Sequence, residues 1–420
     1  MTAVSHAPLT FPEGFLFGTA TSATQIEGRC EDSDWVRFAR QKDRIRHGDT
    51  PDVACDSFRR WREDLALQRE LGMGAYRLSV EWARIEPREG QFDHAALDVY
   101  VSQLGALRDA GIEPMVTLHH FTLPGWLADR GGLLAPGFDA RLARFARVVV
   151  GALGDVCRLW ITINEPNVLA AHAYLLGVWP PAMKSPRQAW RAQRALLLAH
   201  DAAYRALKEA RGDAVQVGVA HHLRVIEPES PGRLRDRAAA ALLSRVFNDA
   251  FAVAVMERRT QDFLGINYYS RDVVRFSTAH AGEMFVARGV PAGAEVSDLG
   301  WEIYPRGLGM VVRAWAKRTG LPVYVTENGI ADATDAKRAA FLRSHLAELA
   351  RAIADGVDVR GYFHWSLLDN FEWAEGYQPR FGLVHVDYAS GARTIRGSAR
   401  EYARIASARA LDLTSSSRAP

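Results

Sequence analysis

The chain is 420 residues long, 48% hydrophobic and 24% charged, with 52 lysines and arginines against 49 aspartates and glutamates. That balance is ordinary for a globular protein and excludes a disordered or collagen-like chain. No uninterrupted apolar run reaches the ~18 residues that span a bilayer, and no stripe of one charge marks a nucleic-acid surface. Three cysteines, Cys30, Cys55 and Cys157, are too few and too scattered for a disulfide framework. The N-terminus lacks the basic and apolar regions of a secretory signal. Together these features predict a reducing cytoplasm, with neither a membrane span nor a nucleic-acid partner.

Short apolar runs alternate along the chain with longer amphipathic ones. The runs Phe15–Thr19, Ala75–Val80, Pro114–Leu118, Leu159–Ile163, Val215–Ala220, Phe263–Ile266, Val323–Thr326 and Gly361–His364 predict eight strands. Helices are expected over Asp56–Leu71, Asp139–Leu153, Trp190–Ala210 and Asp335–Ala354. Gly72, Gly111, Gly212 and Gly356 stand where helices should stop. Strands alternating with helices predict a single-domain α/β fold, a (β/α)8 barrel with its core over about 11–405, although periodicity alone leaves a doubly wound open sheet as a rival. The polar stretch after about 411 reads as a disordered tail. In such a barrel, chemistry belongs at the C-terminal ends of the strands.

Two glutamates meet that condition. Strand four runs into Asn164-Glu165-Pro166-Asn167 and strand seven into Thr326-Glu327-Asn328-Gly329. A carboxylate beside a buried apolar run is costly unless paired or used. Each glutamate alone would serve as a structural ion-pair partner. Two of them at the mouth of one barrel suit glycosidic bond cleavage, which needs a proton donor and a nucleophile or base. Aromatic and polar residues gather at the other strand ends: His119-His120-Phe121, Asn267-Tyr268-Tyr269, and Trp365 followed by Leu367 to Trp373. Rings for C–H stacking and side chains for hydroxyls suit a pyranose. The histidine pairs 119–120 and 221–222 alternate faces on their strands, so they are poor chelators, and no metal is expected.

In order along the chain, Gln25-Ile26-Glu27-Gly28, Tyr76-Arg77-Leu78-Ser79, Thr117 to His120, Thr162 to Asn167, Asn267 to Tyr269, Thr326 to Gly329 and Trp365 to Trp373 resemble the motifs of glycoside hydrolase family 1, the retaining β-glucosidases. The resemblance implies two carboxyls about 5 Å apart. Glu165 would be the acid/base, its pKa raised, and Glu327 an ionised nucleophile. Arg77 would sit by the nucleophile. Tyr269, or less readily Tyr268, would donate to it, and Asn164 would hold the sugar 2-hydroxyl. Gln25, His120, Trp365, Glu372 and Trp373 would form the glycone subsite, with a cis Trp365–Ser366 peptide. A carboxylate at Glu372 would reject a sugar phosphate. The implied activity is cofactor-free hydrolysis of small-molecule β-glycosides, glucosides before fucosides and galactosides. Two alternatives are a transglycosylase using the same intermediate and a non-catalytic sugar-binding barrel. Phe121 departs from the family, which has Trp there. The brief segments between Asp43 and Asp56 and between His221 and Asp262 imply an open aglycone mouth.

Overall fold

The computed structural model describes residues 8–412. Eight parallel strands close into a barrel. They are β1 (Leu16–Ala20), β2 (Ala75–Ser79), β3 (Glu113–His119), β4 (Leu159–Asn164), β5 (Gln216–His222), β6 (Phe263–Asn267), β7 (Val323–Asn328) and β8 (Val359–Trp365). β8 pairs back onto β1, from Gly361 opposite Leu16 to Trp365 opposite Ala20. Every strand lies within two residues of its sequence expectation. The differences fall mainly at the C-terminal ends, where β4, β5, β6, β7 and β8 run on through polar or aromatic residues. Hydrophobic patterning ends a strand where the apolar run ends. The barrel carries the strand further, because its mouth gives polar side chains partners.

Outside the barrel lie α1 (Ser57–Glu70), α2 (His94–Asp109), α3 (Phe138–Leu153), α4 (Pro186–Arg211), α5 (Leu234–Arg258), α6 (Pro305–Thr319), α7 (Arg338–Ala354) and α8 (Gly397–Ala408). Ser185 caps α4, accepting from the Gln188 amide, and Pro186 occupies its first turn. By length and composition α5 could cross a membrane. It carries a π-helical turn at Arg245–Asp249 and buries Leu243, Phe251 and Val255 against the protein.

Two apolar layers hold the fold. Ala75, Met115, Leu159, Ile161, Phe263, Tyr324 and Phe363 fill the barrel. Leu78, Val116, Trp160, Val219, Ile266 and Val325 face outward to the helices and join the larger cluster. The alternation is the strand period of two with both faces buried. The short strand Leu9–Thr10 pairs antiparallel with Ala410–Leu411. Leu411 is therefore buried and paired, although its sequence placed it at the start of a polar tail. Residues 413–420 of that tail lie outside the described residues.

Candidate active site

The C-terminal strand ends surround a cavity of about 580 Å³, lined by Glu165, Glu327 and Glu372 with His120, Tyr269, Trp365 and Trp373. Arg77, Asn164 and Gln25 lie behind that lining. Three lining residues adopt left-handed backbone conformations although none is glycine: Phe121 (φ 72°), Glu165 (φ 43°) and Trp373 (φ 54°). Such residues cost on the order of 1 kcal/mol each and cluster at functional sites. The Trp365–Ser366 peptide is cis. Gly329 has no room for a side chain, since a Cβ there would lie 1.8 Å from the Trp365 carbonyl oxygen.

Glu327 sits at the end of β7. Arg77, fully buried at the centre of β2, donates from Nη1 to Glu327 Oε1 at 2.5 Å. The same guanidinium donates to the Thr326 carbonyl, Thr117 Oγ1 and Asn164 Oδ1. Tyr269 donates to Glu327 Oε2 at 2.7 Å. Tyr268 points away and donates to the Tyr304 carbonyl. Each Glu327 oxygen thus receives a donor from a different part of the barrel, one from the middle of β2 and one just beyond β6.

Glu165 begins the turn after β4. His222 Nδ1 and Asn267 Nδ2 each lie 2.8 Å from its Oε1. Asn267 also donates to Asn164 Oδ1, and Thr326 Oγ1 donates to Asn267 Oδ1. A hydrogen-bonded lattice therefore connects β2, β4, β6 and β7. Sequence reasoning set His222 aside as half of a poor chelating pair, and it missed Arg224. The rule that selected the glutamates would have found His222, because it is the last residue of β5.

Burial raises Glu327 to about 7, with repulsion from Glu165 adding to it and Arg77 and Tyr269 opposing it. Burial works to raise Glu165 as well, but His222, Asn267 and Arg224 hold it below the usual carboxylate range. This order reverses the expectation of a raised Glu165 and an ionised Glu327. Each carboxyl has two direct donors, but Glu327 also feels repulsion from Glu165, whereas Arg224 adds a cation behind Glu165. Burial and the two other carboxyls push Glu372 up to about 8. Gln25 Nε2 reaches Glu372 Oε2 at 3.2 Å, along with Asn370 and the Phe371 carbonyl.

The His120 ring is nearly parallel to those of Trp365 and Trp373, at 19° and 17°, with centroids 5.8 and 6.1 Å away. Its Nε2 faces Asn164 Nδ2 at 3.2 Å, which leaves the proton on Nδ1. Nδ1 is buried and has no partner among the described residues. Phe121 meets the edge of Trp373 at 5.3 Å, so the departure from Trp still braces that ring.

A second cavity, about 630 Å³, shares His172, Leu176, Arg224, Tyr269 and Trp301 with the first. Trp190, Leu243, Val246, Phe247 and Val290 make much of its wall apolar. Arg224, Leu243, Val246 and Phe247 come from the segment between β5 and β6, and Asp43 and Arg44 line the first cavity. Both of the brief segments therefore contribute to the walls of these cavities.

A parallel barrel with buried carboxyls and stacked rings at its C-terminal mouth defines a carbohydrate-cleaving enzyme, an O-glycoside hydrolase. Residues 7–259 and 254–411 match Glycosyl hydrolase family 1, and the chain belongs to that family. It is 35% identical to Beta-glucosidase A of Thermotoga maritima, over 94% of this chain and 97% of that one. It is 33% identical to the Beta-glucosidase of an Agrobacterium species, over 94% and 95%. The solved T. maritima β-glucosidase in complex with glucoimidazole superposes with a TM-score of 0.89 at 34% identity, covering 96% of this chain and all of that one. A β-glycosidase from Pyrococcus horikoshii does so with a TM-score of 0.89 at 37% identity, covering 97% of each. The chain is a glycoside hydrolase of the β-glucosidase type, with the family's retaining mechanism.

Proposed function

We propose that this enzyme removes terminal non-reducing β-D-glucosyl residues, and more slowly fucosyl and galactosyl ones, from small molecules with apolar aglycones. One observation carries the assignment of roles: Glu327 is clamped between a buried arginine and a tyrosine, and a second carboxyl, Glu165, lines the same cavity.

In the first step a Glu327 oxygen attacks C1 of the sugar. The C1–O bond to the aglycone breaks, and Glu165 gives its proton to the departing oxygen. In the second step Glu165 takes a proton from water, the water oxygen bonds to C1, and the ester to Glu327 breaks. The two buried carboxyls repel each other and titrate as a pair, so a proton on one favours charge on the other. A substrate covering Glu165 and bringing an acceptor oxygen to it raises that carboxyl and moves the shared proton there. Arg77 and Tyr269 then stabilise the charge on Glu327. Once the ester forms, that charge is gone and Glu165 is free to act as base.

His120 Nδ1, Gln25, Asn164 and Glu372 offer donors and acceptors to the sugar hydroxyls, and the Trp365 and Trp373 rings line its slot. Glu372 offers a 6-phosphate no cation to pair with. The second cavity supports the apolar aglycone, because its shared residues border the side from which Glu165 acts. The three unpaired cysteines suit a reducing compartment such as the cytoplasm.

The test is a panel of aryl and alkyl β-glycosides with Glu327→Ala and Glu165→Ala as controls. Turnover that both substitutions abolish on unactivated glucosides supports the reading. A folded wild type that cleaves no β-glycoside overturns it.

A further inference from the structure

We propose that Arg224 and His222 act as a positioning pair that fixes which oxygen of Glu165 carries the catalytic proton. The inference rests on Glu165 being the acid/base. It concerns how that carboxyl is held.

His222 ends β5 with its ring buried. Its Nδ1 lies 2.8 Å from Glu165 Oε1, and Arg224 Nε lies 2.9 Å from its Nε2. An arginine can only donate. His222 Nε2 must therefore present a lone pair, so the proton is on Nδ1 and the ring is neutral. An imidazolium would set N–H against N–H and place two cations together. Arg224 thus selects the tautomer that donates to Glu165, as outer partners do for histidines at metal sites.

Arg224 is itself well held. Its Nη1 reaches both oxygens of Asp272, at 3.2 and 3.3 Å. Its backbone exchanges two hydrogen bonds with the Asn248 side chain. The guanidinium lies over Phe247 at 5.2 Å. The His222 ring stacks on Tyr269 and meets the edge of Phe247. Neither side chain can turn without losing several of these contacts.

The consequence falls on Glu165. Oε1 accepts from both His222 and Asn267, and no hydrogen bond from the described residues reaches Oε2. A protonated carboxyl keeps its better acceptor in the carbonyl oxygen, so two donors on Oε1 leave the proton on Oε2. Oε2 is then the atom that delivers the proton to the departing oxygen. The other titratable or charged groups around the pair are His172 after β4, Tyr269 and Asp272 after β6, Arg288 beside Asp272, Glu327, and Glu372 after β8.

The experiment compares kcat/KM on two glucosides in purified full-length enzyme. Alkyl β-glucosides need a proton on the leaving oxygen. 2,4-Dinitrophenyl β-glucoside leaves without one. His222→Leu is expected to lose about 10- to 100-fold on the alkyl substrate, within the ~10²–10⁴ that general acid catalysis supplies, and little on the activated one. His222→Asn keeps an N–H donor near the Nδ1 position and should recover most of the loss. Arg224→Met frees the His222 ring to adopt the other tautomer, so its loss should likewise fall on the alkyl substrate and spare the activated one. Equal losses on both substrates in either variant, or no recovery with Asn, would overturn the proposal. Glu165→Ala is the separate control. If it too showed no dependence on the leaving group, the acid/base assignment itself would fail.

Discussion

The two carboxyls of the site are held in different ways. Glu327 is served from the barrel itself: Arg77 comes from the middle of β2, and its other partners Thr117, Asn164 and Thr326 are strand residues. Glu165 is served from the rim. It stands in a left-handed turn, and the chain of partners behind it runs through Arg224 and Asp272, past the ends of β5 and β6, to the border of an open apolar cavity. The half that must hold charge against a fixed sugar ring is built on strands. The half that meets variable aglycones takes its direct donors, His222 and Asn267, from strand ends but is backed by residues beyond them, where a rigid scaffold carries adaptable connections.

Breaking the strand-built half should have the largest effect. Glu327→Ala is expected to lower kcat by on the order of 10⁶, the scale seen when a nucleophile is removed from a concerted unit. A covalent glycosyl-enzyme, trapped with a slow fluorinated glucoside and located by mass spectrometry, should vanish with it. Arg77→Met should come next. Its loss leaves a buried carboxylate without its cation, so Glu327 takes up a proton and activity falls. Denaturant unfolding should show a stability loss of about 3 kcal/mol.

Glu372→Gln sharpens the comparison through pH. A carboxyl whose folded pKa of about 8 lies above the ordinary 4.5 binds its proton more tightly when folded. Its contribution to stability is full below about 4.5 and is lost as the pH rises toward 8. The Tm of the wild type should therefore decline from pH 5 to 8 more steeply than that of Glu372→Gln. Glucoside kcat/KM should fall about 3- to 10-fold as hydrogen bonds from the carboxyl to the sugar hydroxyls are weakened. The smallest effect belongs to the loop-built half. Trp190→Ala should raise KM for octyl β-glucoside a few-fold, by lost apolar contact, and leave methyl β-glucoside unchanged. An equal change on both would remove the second cavity from aglycone binding.

The comparison also explains what could be read before the fold was known. Apolar runs of four to six residues, set between amphipathic helices, are enough to specify eight buried parallel strands, because only a barrel or a doubly wound sheet hides both faces of each. Glu165 and Glu327 stood out because a carboxylate beside such a run has no ordinary place. Their relative protonation was not legible, since it depends on burial and on which charges and donors reach each from segments up to 250 residues away. His222 illustrates the limit. In the sequence it is a histidine next to a histidine. In the fold, Arg224 on one ring nitrogen and Glu165 on the other give it a tautomer and a direction. Local pattern determined the strands, the helices and the residues carried to the barrel mouth. Closure of the barrel alone decided which atoms face each other there, because hydrogen bonds and charge repulsion depend on distances in space that sequence separation does not record.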